Sequence, residues 1–237
     1  MVMASSEEMP LELFLRKEIE LISWKHGIDS TLRDQLPEQW VEIIIGGGSI
    51  GSVINEIWMP IKRMTRGFVS RLENLTVDLK IVLEEPNNAV QGLFYVTRSD
   101  GPIDGWFAGL PITYPEIESW NAQMEITLPS SIHSFFEIHN GLLENGNGGI
   151  GVYPLDQLVK LSEHDYLKAY DSDIAYEREN FLEFASEPTG DVRCFDLTQE
   201  SGKGDYLTIH WDHETQELSN PYSFWRYLKD FAVQILA

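Results

Sequence analysis

The stretch FLEFASEPTGDVRCFDLTQESGKGDYLTIHW, residues 181–211, decides the fold class of this 237-residue chain. It contains three short apolar and aromatic runs, at residues 181–185, 192–197 and 206–211, and glycine-containing turns separate them. Each run has the length of a typical strand. Consecutive strands joined by turns predict a largely antiparallel sheet, because parallel strands need long crossover connections between them.

Helical patterns flank these strands on both sides. Apolar residues recur at helical spacing over residues 115–124. A second helix is expected to follow Leu128-Pro129 and to end at Asn140-Gly141, residues that tolerate a left-handed turn. Further patterns predict a helix over residues 156–161 and a last helix capped by Ser223. Helices, then strands, then a helix indicate an α+β fold with a mixed, largely antiparallel sheet flanked by helices.

The first part of the chain predicts helices followed by a β-hairpin. Amphipathic periodicity predicts helices over residues 10–23 and 30–36, and apolar residues over 50–58 share one face of a third helix. Alternating apolar residues over 76–84, followed by a turn and a return strand over 90–97, predict the hairpin.

Loop signals predict a boundary between two units. Ser99-Asp100-Gly101-Pro102 and Asp104-Gly105 are typical of loops, and they lie between the hairpin and the helix that begins near Pro115. We therefore expect an N-terminal helical unit with a β-hairpin over residues 1–110 and an α+β domain over residues 111–237.

Charge is the unusual property of the composition. The chain has 38 acidic and 17 basic residues, a net charge of −21, and the acid excess is larger after Leu110 than before it. A strongly acidic surface disfavours nucleic acids and anionic membranes, and it favours a basic protein partner. Generic solubility is the alternative explanation, since net charge argues about association and not about fold.

Cysteine content and the first residues indicate a cytoplasmic protein. Cys194 is the only cysteine, so no disulfide can form within the chain, and its place in a predicted strand indicates a small buried residue. The first residues lack a basic segment followed by an apolar one, so no signal peptide is expected.

The spacing Gly46-x-Gly48-x-x-Gly51 matches a dinucleotide-binding fingerprint after the strand-like run 43–45. The next acidic strand end, Glu84-Glu85, comes too late, and no further β-α unit follows. A nucleotide-dependent enzyme is therefore only a distant alternative. The apolar residues around this motif are expected to be buried in the N-terminal unit and not to bind a membrane.

His210, Asp212, His213 and Glu214 include the residue types that bind metals. In a strand His210 and Asp212 share one face while His213 points to the other, so no metal site is expected. His139 is expected to lie at a surface or a helix end. With no nucleophile motif either, we expect a protein that is not an enzyme and has no cofactor.

Short motifs follow one another in a definite order after residue 110, at Leu128, Pro129, Asn140, Gly141, Gly190, Trp211, Asp212, Glu214 and Phe224. Their order resembles the SUKH superfamily, which includes fungal cell-wall-assembly regulators and many bacterial immunity proteins. These motif positions are expected to be mainly structural. The resemblance implies a SUKH-like α+β domain over about residues 114–237. Asn121 departs from the pattern, because family members commonly carry an acidic residue there.

This resemblance implies a binding function. Many bacterial members neutralise a toxin, often a nuclease, and a basic nuclease would suit the acid excess of this chain. The alternative is a regulatory or scaffold protein whose N-terminal unit docks a second partner or a membrane. Exposed acidic residues in loops are expected to form the partner footprint, namely Asp171, Asp173, Glu187, Asp191 and Glu200.

Overall fold

The computed structural model describes most of the chain from residue 19 onwards. The described residues are 19–24, 28–98, 104–145, 151–163, 178–187, 189–202, 204–212, 214–215, 217–219 and 221–235. Asp171 and Asp173 lie outside them.

Seven α-helices and ten strands form within the described residues. The helices are α1 Ser30–Arg33, α2 Glu38–Ile45, α3 Ile50–Ile57, α4 Lys62–Leu75, α5 Tyr114–Met124, α6 Ser130–Phe136 and α7 Phe224–Ile235. The strands are β1 Ile19–Ser23, β2 Asp78–Glu84, β3 Ala89–Arg98, β4 Asp104–Gly109, β5 Asn140–Asn145, β6 Gly151–Val152, β7 Val159–Lys160, β8 Phe181–Ser186, β9 Val192–Gly202 and β10 Asp205–Trp211. Short 3₁₀ turns occupy Met59–Ile61, Leu155–Gln157 and Leu161–Glu163.

All ten strands belong to one sheet, in the order β1-β2-β3-β4-β5-β6-β8-β9-β10, with β7 paired to β8. Every described pairing is antiparallel. This confirms the predicted α+β class. Asp104-Gly105, predicted as loop, begin β4, which pairs with β5 so that Phe107 lies opposite Leu143. The described strands on both sides of residue 110 are thus hydrogen-bonded into one sheet, and the division into two units stays a prediction.

Helices cover one face of the sheet, and the main hydrophobic core lies beneath them. Side chains of both halves of the chain meet there, including Ile81, Phe184 and Phe224, which are fully buried. The opposite face carries two smaller clusters. One consists of Val82, Phe94, Val96 and Phe107. The other consists of Leu161, Phe181, Val192, Cys194, Ile209 and Trp211. Alternate residues of a strand reach opposite faces, so both faces of this sheet require apolar side chains.

Several elements match the patterns that predicted them. The β2–β3 hairpin forms, and α3 buries Val53, Ile54 and Ile57 on one face. Helix α5 begins with a capping box in which the Thr113 N–H donates to the Glu116 carboxylate at 2.8 Å. The Ser223 hydroxyl accepts the N–H of Arg226 at 3.3 Å, as expected of a cap on the last helix.

Two predictions in the first part of the chain are wrong. Ile19–Ser23 is an edge strand and not the end of a helix, since Ile22 pairs with Ile81 of β2. Residues 10–18 lie outside the described residues. The strand-like run 43–45 belongs to helix α2, because Trp40 and Ile44 are four residues apart and both are buried.

Two predictions in the second part are also wrong. Helix α6 ends before Asn140-Gly141, which begin β5. Gly141 has φ +82°, and a Cβ there would lie 2.8 Å from the Pro154 nitrogen, so the residue is needed for close approach of two backbones. The predicted helix at 156–161 is replaced by 3₁₀ turns and β7, because Val159 and Lys160 pair with β8.

None of the helices that the described residues form combines the length and the apolar character needed to cross a membrane.

Candidate functional site

The candidate site lies at the end of the sheet where the β8–β9 turn meets β10. Arg193 on β9 and His210 on β10 are directly opposite each other. The turn is closed by the Glu187 N–H, which donates to the Asp191 carbonyl at 2.8 Å. Gly190, with φ +92°, supplies the left-handed residue that this turn requires. These elements bring Glu187 and Asp191 beside Arg193 and His210.

Arg193 holds the centre of this site. Its Nε donates to Glu187 Oε1 at 2.7 Å, its Nη2 pairs with the same carboxylate, and its Nη1 donates to the Tyr222 hydroxyl. The guanidinium lies 5.8 Å from the centre of the Tyr222 ring and 6.0 Å from that of the Tyr227 ring. Charged hydrogen bonds and ring contacts together fix the turn on the sheet. We call Glu187, Asp191, Arg193, His210 and Tyr222 the turn cluster.

His210 faces both carboxylates of the turn cluster. Its Nε2 lies 3.2 Å from Asp191 Oδ2 and 4.0 Å from Glu187 Oε2. Among the described residues these three side chains have the composition and spacing that a metal ion can use. Arg193 already pairs with Glu187, and a metal would have to compete with that fixed positive charge. The arrangement is accounted for as an ion pair between Arg193 and Glu187, with the His210 ring beside Asp191.

An acidic loop extends the turn cluster toward solvent. Asp212 Oδ1 accepts the N–H groups of Thr215 at 2.8 Å and Glu214 at 2.9 Å, and the bond from Thr215 is the main cause that lowers the pKa of Asp212. Glu214 and Glu217 are exposed. Leu218 is 45% exposed and pairs with Trp211, so its side chain lies on the opposite side of the sheet from His210. We call the surface formed by Glu187, Asp191, Asp212, Glu214 and Glu217 the acidic face.

The predicted footprint residues occupy different environments. Glu187 and Asp191 are half-buried and paired, although exposed positions were expected, while Glu200 is exposed on β9. Glu200 is eight residues beyond Val192, which places it roughly 25 Å along the strand from the turn cluster. Asp171 and Asp173 are outside the described residues. The structure therefore brings together two of the five predicted footprint residues.

The motif positions divide into two groups. Gly190, Asp212 and Glu214 shape the acidic face, and Trp211 is buried next to it on the opposite side of the sheet. The other positions lie in the core or at the ends of helices and strands, away from this loop. They are Leu128, Pro129, Asn140, Gly141 and Phe224.

His139 is the residue that sequence reasoning misplaced most. It is fully buried, and its ring packs 5.3 Å from that of Trp40 and 5.1 Å from that of Trp58. The two ring nitrogens of His139 have different partners: Nε2 lies 2.8 Å from Tyr95 Oη, and Nδ1 lies 3.4 Å from the Gly109 carbonyl. The Trp58 Nε1–H in turn donates to Tyr95 Oη at 3.3 Å. The prediction of a surface or capping residue is wrong. A sequence signal existed, since His139 follows Phe135 by four residues, the spacing of one helical face.

The donors and acceptors of this buried histidine network follow from its members. A carbonyl can only accept, so His139 Nδ1 carries the proton and donates to Gly109. Neutral Nε2 then accepts from the Tyr95 hydroxyl, which in turn accepts from the Trp58 indole. Burial lowers the pKa of His139 to about 3, against a smaller opposite effect of the Gly109 bond, and burial also raises the pKa of Tyr95. The histidine is therefore neutral at physiological pH.

The glycine motif at Gly46, Gly48 and Gly51 joins two helices. Gly46 donates its N–H to Glu42 at the end of α2, and the Ser49 hydroxyl caps α3 by accepting the N–H of Ser52 at 3.2 Å. A dinucleotide fingerprint requires a strand before the glycines. The helix found there contradicts that reading of the motif.

Comparisons with known proteins identify part of the chain. The family model described as SMI1 / KNR4 family (SUKH-1) matches residues 111–231, which include the turn cluster and the acidic face. A search of curated proteins gave no match.

Proposed function

The chain belongs to the SMI1/KNR4 (SUKH-1) family, and from that premise we propose that it is a non-enzymatic protein-binding module that neutralises a cognate toxin. The toxin is a basic protein such as a nuclease, and neutralisation occurs by direct occlusion of its surface. This family includes immunity proteins, which supports a binding role for the matched domain.

The acidic face is the observation that carries this proposal. Glu214 and Glu217 are exposed in the loop after β10, and Asp212 accepts two backbone N–H groups of that loop. The rims of protein interfaces are polar and accessible to solvent. A nuclease must attract phosphates with positive charge, so an acidic rim is complementary to the surface that such an enzyme presents.

The turn cluster supports the acidic face from below. Arg193 pairs with Glu187, His210 lies beside Asp191, and these contacts hold the turn against the sheet. A surface that is fixed before binding loses less conformational entropy when it binds. The half-buried acids thus act as a base for the loop, and the exposed acids make the contact.

The chemistry of the one cysteine fits a binding role. Cys194 is fully buried on the sheet face opposite α7, and burial raises the pKa of its thiol well above the usual range. A thiol in this state is a poor nucleophile. We assign Cys194 to packing and give it no part in catalysis.

The test begins with capture of partners from the native host on the tagged protein at 50 mM and 500 mM salt. A dominant basic partner that is lost at high salt is expected. Expressed alone in a heterologous cell, that partner should arrest growth, and co-expression of this chain should restore it. A partner that is harmless when expressed alone would sink the toxin proposal.

Charge reversal on the acidic face provides the site-specific test. The Glu214→Lys/Glu217→Lys variant should lose the restored growth, while the control Glu42→Lys/Glu56→Lys should retain it. The control changes the net charge by the same amount at exposed positions of α2 and α3. Equal behaviour of the two variants would show that bulk charge, and not this face, determines binding.

A further inference from the structure

Helix α4 has the opposite charge from the rest of the molecule. Its fourteen residues include four basic residues and one acidic residue, while the whole chain carries a net charge of −21. Opposite charges are usually interspersed on protein surfaces. The separation found here creates a local basic surface on an acidic protein.

The exposed side of α4 gathers this charge beside α7. Arg63 and Arg66 are exposed and three residues apart, which places them on one face of the helix. Gly67 lies next to them, and a Cβ at Gly67 would be 3.8 Å from Cγ of Lys229 on α7. Met59, in the turn before α4, is 55% exposed. We call Met59, Arg63, Arg66, Gly67 and Lys229 the basic face.

The charged groups of the basic face have no partner among the described residues. Within the part of the chain that the structure describes, the side chains of Arg63, Arg66 and Lys229 form neither an ion pair nor a hydrogen bond. Nearby Lys62 instead donates to Asn55, and Arg226 pairs with Asp230 at 3.4 Å. A partner can therefore bind these side chains without first breaking a contact to the described part of the chain.

The other side of α4 is fixed in the core. Phe68, Val69 and Leu72 are buried, and Phe68 packs against Trp58 with ring centres 5.1 Å apart. The helix cannot release this side without exposing the core. Any ligand must therefore bind to the outward side, where positive charge and a flexible methionine are available.

We propose that the basic face docks an acidic segment of a second protein that also carries an apolar side chain. Carboxylates of the segment pair with Arg63, Arg66 and Lys229, and its apolar side chain packs on Met59. Methionine adapts to partners of different shape. This surface is separate from the acidic face, so the inference does not depend on the toxin proposal.

Charge also decides between a peptide segment and an extended anionic surface. A membrane or a nucleic acid would meet the acidic remainder of the molecule as well as the basic face, and the net charge of −21 would oppose its approach. A short segment can contact the basic face alone. The acidic segment of a protein is therefore the partner that these charges favour.

The experiment measures binding of a fluorescent sixteen-residue peptide of glutamate and leucine by anisotropy in 50 mM salt, with the full chain. Saturable binding by the unmodified protein is expected. Arg63→Ala/Arg66→Ala should weaken it about fivefold to tenfold, because two exposed ion pairs are lost. The control Arg33→Glu changes the net charge by the same two units on α1 and should alter affinity by less than about twofold. Circular dichroism checks that the variants fold.

Four results would overturn the proposal. The first is the absence of saturable peptide binding, and the second is an equal loss of affinity in the double variant and the control. The third is tighter binding to vesicles with 30% phosphatidylserine than to the peptide. The fourth is self-association in analytical ultracentrifugation that the double variant abolishes. The third result would assign the face to lipid, and the fourth would assign it to a second copy of the chain. The toxin proposal would stand in each case.

Discussion

Replacement of His139 tests the buried network through the pH dependence of stability. In the folded protein burial lowers the pKa of His139 to about 3, whereas an unfolded histidine has a pKa near 6.5. Below pH 6.5 the unfolded state therefore binds a proton that the folded state does not. This contribution to stability is fully present above pH 6.5 and is lost as the pH falls toward 3.

The magnitude follows from the size of this pKa difference. Each pH unit below 6.5 costs the folded state about 1.4 kcal/mol until the folded pKa is reached. Between pH 7.5 and pH 5.0 the unmodified protein should thus lose about 2 kcal/mol through His139. His139→Gln should destabilise the protein by about 2–3 kcal/mol at pH 7.5, through lost packing and altered hydrogen bonds. At pH 5.0 that difference should nearly disappear.

The assay is urea unfolding followed by tryptophan fluorescence at the two pH values. Trp40 and Trp58 lie against the His139 ring and report on its surroundings. The control is Phe135→Leu, which alters packing against Trp58 without removing a titrating group. Its effect on the free energy of unfolding should be the same at both pH values. A His139→Gln effect that also stays constant between pH 7.5 and 5.0 would show that burial does not hold His139 neutral in the folded protein.

Three further predictions concern other parts of the structure. Arg193→Met should lower the free energy of unfolding by about 2 kcal/mol in urea titrations. Arg226→Met breaks an exposed pair and should change that free energy by less than about 0.5 kcal/mol. Equal effects of the two variants would contradict the role given to the turn cluster. In the same assay Gly141→Ala should lower the free energy of unfolding by about 3 kcal/mol and Gly202→Ala by about 1 kcal/mol. Both glycines have positive φ, but only at Gly141 would a Cβ meet backbone atoms. Similar losses for the two variants would argue against the steric explanation. Cys194 should react with iodoacetamide at pH 8 only in denaturant, because burial raises the pKa of its thiol. Mass spectrometry of the native and the denatured protein measures this labelling. Rapid labelling of the native protein would contradict the burial of Cys194.

The sheet could be predicted from sequence wherever its strands have a local signal. Residues 192–197 and 206–211 each follow a glycine turn and form β9 and β10, although β9 extends to Gly202. Strand β1 had no such signal, because its helical periodicity was overridden by pairing with β2. Helix α2 was hidden by three consecutive isoleucines, whose β-branched side chains suggest a strand when tertiary packing is unknown.

The candidate site could be predicted only in part. Glu187 and Asp191 were identified as acidic turn residues, but their pairing with Arg193 and His210 depends on the register between β9 and β10. Sequence spacing does not reveal such a register in advance. His139 was missed for a related reason, since its partners Trp58 and Tyr95 lie 81 and 44 positions earlier in the chain.

Hydrogen exchange on the complex tests whether the acidic face binds a basic toxin. Mass spectrometry would compare the protein alone with the protein bound to the captured partner. Exchange should slow within residues 187–191 and 212–218, while α4 stays unchanged. Protection that spares both segments and appears elsewhere would show that the toxin binds another surface.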